Sequence, residues 1–241
     1  MTTTIDPSSP DRSGRPAGAA LAALLGDRSG LSVTLDRFAG AFTALSGLLV
    51  TSSSEAVLDR VRAPELLAEW PLPQDPDCAR GVELLRESGA AGEDETLVRR
   101  DYNRLFYGPG PMLAPPYESV HRSDEGLVFE QETMQVRAAY AEFQLAAPRL
   151  NKEPDDHLAL ELGFLGELCV RAMDAVDAHD DLTLTRLLLG VQDFLDAHLL
   201  VWGPQCLTQA ADGAQTFFYR GIAALGIGTL RQAQITFLSR S

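Results

Sequence analysis

The chain has 241 residues, of which 20 are Lys or Arg and 34 are Asp or Glu, so its formal net charge is −14. This sign disfavours a general nucleic-acid binder, because such proteins need surplus cations to displace counterions from phosphates. An acidic surface instead attracts cationic partners such as a basic peptide. No apolar run is long enough for a membrane span. Cys78, Cys169 and Cys206 lack the close spacing of zinc or redox sites, and such dispersed thiols are typical of a reducing cytoplasm.

The N-terminal segment differs in composition from the rest of the chain. Residues 1–16 are rich in Thr, Ser, Pro, Asp and Arg, which predicts a disordered or loosely ordered tail over residues 1–30. Beyond it we expect an N-terminal helical part over residues 31–147 and a C-terminal helical part over residues 148–241. The break between them is the polar, proline-bounded segment 148–154.

Helical periodicity dominates the chain after the tail. Alternating β-branched runs are nearly absent, so strand signals are weak. The pattern predicts an all-α protein of roughly ten helices in two subdomains joined by a hinge. The predicted apolar stripes are Leu35, Phe38, Phe42, Leu45 and Leu49; Val98, Tyr102, Leu105 and Phe106; Met134, Ala138, Ala141 and Leu145; Leu158, Leu162, Leu165, Cys169, Ala172 and Val176; Leu184, Leu188, Val191, Leu195, His198 and Trp202; and Phe218, Ile222, Leu225 and Leu230.

Two further signals predict where helices begin. Ser52-x-x-Glu55 has the spacing of a capping box, in which side chain and backbone satisfy each other at the first turn. Pro154 suits the first position of a helix, and Asp155 and Asp156 after it would interact favourably with the helix dipole.

Residues 107–125 are predicted to form a long, semi-rigid loop. Four prolines and two glycines lie between Tyr107 and Tyr117, and proline removes a backbone donor and restricts the residue before it. Loops of this length in compact domains are usually functional. We expect its apolar side chains to hold a hydrophobic stretch of extended peptide, while nearby carboxylates hold Lys or Arg.

His179-Asp180 is the strongest candidate for chemistry, because helical metal-dependent phosphohydrolases use such a dipeptide. His121 and His157 could be imagined as further ligands, but no second ligand motif is present. The dipeptide also lies in a polar turn, where Asp180 suits a helix N-cap. We therefore predict no catalytic residue, metal site or cofactor site, and the phosphohydrolase remains the alternative.

Three stretches carry a more specific pattern. They are Tyr102–Val120, with Leu-Phe, Gly-Pro and Pro-Pro-aromatic-x-Ser elements; Glu153–His157; and His198–Trp202 followed by Phe218–Arg220. In this order, on a helical chain of this length, they resemble the TorD/DmsD family of cytoplasmic chaperones that mature molybdenum-containing redox enzymes. The resemblance covers roughly residues 35–235.

The resemblance implies a protein that is not an enzyme. Family members bind the twin-arginine signal peptide of a partner reductase, and often its body, and so delay export until the molybdopterin cofactor is inserted. The family also allows a homodimer formed by domain swapping. Carried over to this chain, the peptide-binding surface comprises Leu105, Phe106, Pro116, Tyr117, Glu118, Ser119, Glu153, Pro154, Asp156 and His157.

The resemblance also implies roles within this surface. Its aromatic and proline side chains would hold the apolar part of the signal peptide, and Glu153 and Asp156 would hold its arginines. His157 would orient a carboxylate or bond to the peptide backbone. Many family members have Trp where Tyr117 stands, so the tyrosine keeps the aromatic face and adds a hydroxyl.

Two alternatives stay open, one from the residues themselves and one within the family that the chain resembles. Leu105, Phe106 and Pro154 also suit a purely structural role. A nitrate-reductase type of chaperone, which acts on a subunit that is not exported, is a second branch of the same family.

Overall fold

The computed structural model describes residues 19–122, 131–147 and 154–238, and in these ranges the regular secondary structure is helical with no sheet strand. This confirms the all-α class, and the number of helices agrees with the roughly ten predicted. Three π-helical turns accompany the helices, at Asn103–Tyr107, Leu195–Leu199 and Gln234–Leu238. The α-helices are α1 (Ala19–Gly26), α2 (Arg28–Leu49), α3 (Glu55–Arg62), α4 (Pro64–Ala68), α5 (Pro76–Ala90), α6 (Glu95–Tyr102), α7 (Glu118–Arg122), α8 (Gln131–Glu142), α9 (Leu158–Asp177), α10 (Asp181–Phe194), α11 (Leu200–Gly213) and α12 (Phe217–Ala233).

One apolar core runs through the described residues. Helix α2 packs along α9, and α5 packs along α12, and these are the two most extensive helix pairs. Each pair joins a helix from the first half of the chain to one from the second half. The helices on the two sides of residues 148–154 therefore share a core, and the predicted hinge between them stays a prediction. None of the described helices is long and apolar enough to cross a membrane.

The N-terminal boundary of the folded body differs from the prediction. Residues 1–18 lie outside the described residues, but the chain is helical from Ala19 onward, within the predicted tail. Leu21 is fully buried, and α1 contacts α2, α10 and the Gln234–Leu238 turn. The prediction of a loose tail was therefore wrong from Ala19 onward, because the apolar run of α1 packs into the core.

The apolar stripes are buried as predicted, with one exception. On α8 the predicted face is turned outward, since Met134 is 58% exposed. Thr133, Val136 and Tyr140 are buried in its place. The hydroxyls of Thr133 and Tyr140 donate hydrogen bonds to the turn at 155–156. These polar contacts select a face of α8 that an apolar pattern does not reveal.

The predicted capping box is also wrong. Helix α3 begins after Ser54, whose side chain makes no capping bond. The backbone N–H of Glu55 instead donates to the Glu95 carboxylate at 3.1 Å, and the N–H of Glu95 donates to Glu55 at 3.0 Å. The first turns of α3 and α6, which are distant in sequence, thus accept each other's backbone N–H groups. The predicted capping box between Ser52 and Glu55 does not form.

The predicted loop 107–125 is shorter than expected. Gly108 leaves the helix with φ 106°, in the left-handed region, and the chain stays non-helical as far as Pro116. Helix α7 then begins at Glu118, because no proline follows Pro116 and the backbone can again form helical hydrogen bonds. Residues 123–125 lie outside the described residues.

Candidate functional site

Two extended segments meet at the centre of the predicted site. The N–H of Glu118 donates to the carbonyl of Asp156 at 3.0 Å, and the N–H of Leu158 donates to the carbonyl of Pro116 at 2.8 Å. These bonds form a single antiparallel bridge between Tyr117 and His157. The first and second of the three motif stretches, Tyr102–Val120 and Glu153–His157, are thereby joined by their backbones.

Successive residues of extended backbone point to opposite sides, and the bridge shows this alternation. Tyr117 and His157 are partly exposed, with ring centroids 5.2 Å apart and an edge-to-face arrangement. Their neighbours Glu118 and Asp156 are fully buried. The bridge therefore has an outer side made of rings and an inner side made of carboxylates.

The outer side opens into a cavity of about 620 Å³. Three of the predicted site residues come together there, namely Phe106, Tyr117 and His157. The π turn Asn103–Tyr107, closed by the N–H of Gly108 donating to the carbonyl of Asn103 at 2.6 Å, forms one wall. The lining consists of Val50, Thr51, Ser52, Arg99, Tyr102, Asn103, Phe106, Tyr107, Tyr117, Ala147, His157 and Leu160.

An aromatic cluster holds the wall behind Phe106. Its ring centroid lies 5.5 Å from that of Tyr102 and 5.7 Å from that of Tyr219. The Tyr102 hydroxyl donates to the carbonyl of Val50 at 3.2 Å. Edge-to-face and tilted ring pairs at these distances are favourable, so this wall of the cavity is preorganised before a ligand binds.

The cavity lining is largely uncharged. Among the described lining residues, Arg99 is the one with a permanent charge, and it pairs with Glu95 at 2.9 Å. The Nδ1 of His157 accepts from the N–H of Ala159 at 3.0 Å and caps α9. A neutral His157 ring therefore carries its proton on Nε2. The surface suits apolar side chains with a few polar contacts.

Asp156 lies on the inner side and both of its oxygens are bonded within the protein. Oδ2 accepts from the N–H of Ser119 at 2.8 Å, at the start of α7. Oδ1 accepts from the hydroxyl of Thr133 at 2.8 Å. Asp156 thus connects α7 and α8 to the turn before α9 through hydrogen bonds. Helix α9 begins at Leu158 and not at Pro154, where its start was predicted.

Glu118 and Asp155 are further buried carboxylates on the inner side. Glu118 pairs with Arg122 through Oε1 and accepts from Nδ1 of His198 at 2.9 Å through Oε2. Asp155 accepts from Nε of Arg137 at 2.9 Å. Each carboxylate is therefore offset by a cationic or ring-nitrogen partner from another segment, which is what buried charge requires.

Glu161 is the exception on this inner side. It is fully buried, and its Oε2 accepts from the Trp202 indole N–H at 3.3 Å. Burial, followed by the charges of Glu118 and Asp156, raises the pKa of Glu161 well above its ordinary value. The protonated acid is therefore the form that the fold favours.

The other predicted site residues surround the cavity without lining it. Leu105, Pro116, Ser119 and Pro154 are buried in the described structure. Glu153 lies outside the described residues. The lining residues not predicted from the motifs include Asn103 and Tyr107, which lie inside the first stretch, and Val50 and Thr51, for which the sequence carried no signal.

The His179-Asp180 dipeptide forms the turn between α9 and α10. His179 adopts φ 55°, and Asp180 caps α10 by accepting from the N–H of Thr183 at 3.0 Å. Hydrogen bonds from Thr183 lower the pKa of Asp180. The described parts of the chain contain no group of three or more His, Cys, Asp or Glu side chains placed to hold a metal ion. Nothing in this turn favours the phosphohydrolase over a helix cap.

Comparisons with known proteins agree with the motifs. The model of the family described as nitrate reductase delta subunit matches residues 74–208. A probable Tat proofreading chaperone DmsD of Haemophilus influenzae is 27% identical over 74% of this chain and 79% of its own length. Chaperone proteins TorD are 26% identical in Vibrio parahaemolyticus, over 60% of this chain and 66% of their own, and 28% identical in Ferrimonas balearica, over 64% and 68%. The chain therefore belongs to the TorD/DmsD family of chaperones.

Proposed function

We propose that this protein is a redox-enzyme maturation chaperone that binds the twin-arginine signal peptide, and the body, of a molybdopterin-dependent oxidoreductase subunit. It would hold that subunit until the cofactor is inserted. The observation that carries the proposal is the cavity at the Tyr117–His157 bridge, which joins two of the family's motif stretches. The names of the relatives, a probable Tat proofreading chaperone among them, support the same function.

The cavity would receive the apolar stretch of the signal peptide. Its volume of about 620 Å³ lies within the range of pockets that bury ligands of several side chains. The rings of Phe106 and Tyr117 would supply most of the buried apolar contact. The bridge histidine, His157, is partly exposed and would orient a carboxylate or bond to the peptide backbone.

Of the two carboxylates predicted to hold the arginines of the signal peptide, Glu153 and Asp156, we reassign one. Asp156 and Glu118 have no exposed surface and are bonded within the fold, so we assign them the role of positioning the bridge. Glu153 remains a proposed arginine contact outside the described residues. The net charge of −14 would add long-range attraction for the basic end of the peptide.

Titration calorimetry with a synthetic twin-arginine signal peptide tests the proposal. We expect saturable binding, weaker binding of a peptide with both arginines replaced by alanine, and a loss of affinity as salt is added. Tyr117→Phe should bind like the wild type. The proposal would be overturned if the intact protein bound none of the twin-arginine signal peptides of molybdoenzymes encoded near its gene.

A second candidate follows from the name of the matching family model, nitrate reductase delta subunit. A chaperone of that type acts on a subunit that is not exported. In that case the partner subunit would carry no twin-arginine signal, and replacing arginines in a signal peptide would not change the affinity of the protein for it. The same calorimetry separates the two candidates.

Location and assembly belong to the same proposal. A protein that holds an export signal acts before export, and we infer that it works in the cytoplasm. Its cysteines, Cys78, Cys169 and Cys206, are free and buried, as suits a reducing compartment. A homodimer formed by domain swapping about residues 148–154 stays a prediction, since residues 148–153 are not among those described.

A further inference from the structure

A second, smaller cavity adjoins the first at Asn103. Its volume is about 310 Å³, and its lining comprises Arg100, Asn103, Arg104 and the Gly108–Pro111 segment. The π turn Asn103–Tyr107 contributes to both cavities, and Tyr107 at its end lines the larger one. The two surfaces are therefore continuous but differ in composition.

The charge of this surface is opposite to that of the protein as a whole. The sequence contains no acidic residue between Asp101 and Glu118, and both of these carboxylates are buried, with at most 2% exposed. Asp101 accepts from Arg104 at 2.6 Å and from the Thr216 hydroxyl at 2.7 Å. Exposed charge on residues 102–117 therefore comes from arginine alone.

Arg100 is the cation with capacity for a ligand. It is exposed, and its guanidinium has no hydrogen-bond or ion-pair partner among the described residues. Its neighbours are already engaged, since Arg99 pairs with Glu95 at 2.9 Å and Arg104 donates to the carbonyl of Gly213 at 2.6 Å. An unengaged guanidinium can form two parallel bonds to one carboxylate.

Exposed apolar side chains lie on the proline-rich segment that shares the smaller cavity with Arg100, and on the residues next to it. Tyr107 is 77% exposed and Leu113 is 45% exposed, and the rings of Pro109 and Pro111 are exposed as well. Tyr and Arg are enriched among the residues that dominate binding at protein interfaces. A proline-rich segment loses little conformational entropy on docking, so the apolar contact is not offset by a large ordering cost.

We propose that the surface formed by Arg100, Asn103, Tyr107 and Pro109–Pro111 docks a segment of a partner protein that carries carboxylates among apolar side chains. Arg100 would bind a carboxylate in bidentate fashion, with the Asn103 amide as a further donor. The exposed rings would cover the apolar side chains of the segment. This surface is distinct in charge from the cavity proposed for the signal peptide, and the proposal does not require that cavity to bind one.

Fluorescence anisotropy of the full chain with two short labelled peptides tests this assignment. One peptide alternates Leu with Glu, and the other alternates Leu with Gln. We expect the Glu peptide to bind about tenfold more tightly or better, and Arg100→Glu to remove this preference. Arg100→Gln should reduce it in part.

Arg86→Glu is the matched control, because Arg86 is exposed on α5, where it pairs with Glu83, and the change in net charge is the same. Its preference for the Glu peptide should stay within about twofold of the wild type. Equal binding of the two peptides by the wild type, or an equal loss in Arg86→Glu, would overturn the assignment. The twin-arginine peptide is measured on the same variants, and its failure to bind would count against the proposed function alone.

Discussion

The two sides of the Tyr117–His157 bridge are built from adjacent residues and have opposite character. The outer side carries Tyr117 and His157 over an open cavity, whereas the inner side carries Glu118 and Asp156, both fully buried and hydrogen-bonded. Because extended backbone alternates its side chains, a single motif supplies both the contact surface and the structure that holds it. Residues of one motif therefore need not share one role.

This comparison divides the residues proposed for peptide binding into two classes with different expected phenotypes. Substitutions on the inner side should lower or raise the free energy of unfolding, and should change the affinity for the signal peptide only through that effect. Substitutions on the outer side should change affinity with little change in stability. Four variants, taken from the largest expected effect to the smallest, test that division.

Asp156→Ala should have the largest effect, a loss of about 2–4 kcal/mol in the free energy of unfolding. The variant leaves the N–H of Ser119 and the hydroxyl of Thr133 buried without an acceptor. Urea denaturation measures the loss, and Asp156→Asn should recover part of it because one acceptor oxygen remains. An Asp156→Ala variant of full stability that fails to bind the signal peptide would place this carboxylate on the ligand instead.

Tyr117→Ala should lower the affinity for a twin-arginine signal peptide by about 10- to 100-fold. Its ring is partly exposed, lies edge-to-face with the ring of His157 and lines the cavity, so the free energy of unfolding should change by less than about 1 kcal/mol. Calorimetry and urea denaturation are compared on the same sample. A loss of stability as large as that of Asp156→Ala would remove the distinction between the two sides.

Glu161→Gln should stabilise the protein by about 1–2 kcal/mol at neutral pH. The pKa of Glu161 is raised in the folded state, so its contribution is retained below the ordinary value of 4.5 and stability is lost as the pH rises towards the folded pKa. Gln mimics the protonated acid and removes this loss. Unfolding curves of both proteins from pH 4 to 8 should therefore converge at the acid end. Parallel curves would show that Glu161 is not held in its protonated form.

His157→Ala should cost about 1 kcal/mol of stability, since Nδ1 of His157 caps α9. His157→Asn restores a capping acceptor but not the ring that faces Tyr117. We expect thermal unfolding of His157→Asn to match the wild type while its affinity for the signal peptide stays reduced. Full affinity in His157→Asn would limit this histidine to a structural role.

Much of the fold could be predicted from apolar spacing. The stripes on α2 and α9 are long, regular and buried, and the two helices form one of the most extensive pairs. The stripe on α8 was wrong because Thr133 and Tyr140 are drawn inward by bonds to Asp156 and Asp155. Such long-range polar contacts leave no periodic trace in a single sequence.

The site was predictable in part for a similar reason. Phe106, Tyr117 and His157 lie in compact motifs, and the structure brings all three to one cavity. Val50 and Thr51 line the same cavity but come from the end of α2, far away in sequence and without a distinctive pattern. The inward orientation of Asp156 depends on the register of the bridge with Pro116 and Glu118, and residue identity alone does not set that register.

The most direct test of the account is titration calorimetry of a twin-arginine signal peptide against the wild type, Tyr117→Ala and Asp156→Asn. We expect saturable binding by the wild type, a loss of about tenfold or more in Tyr117→Ala, and near wild-type affinity in folded Asp156→Asn. Binding that survives in Tyr117→Ala but is lost in folded Asp156→Asn would contradict this expectation.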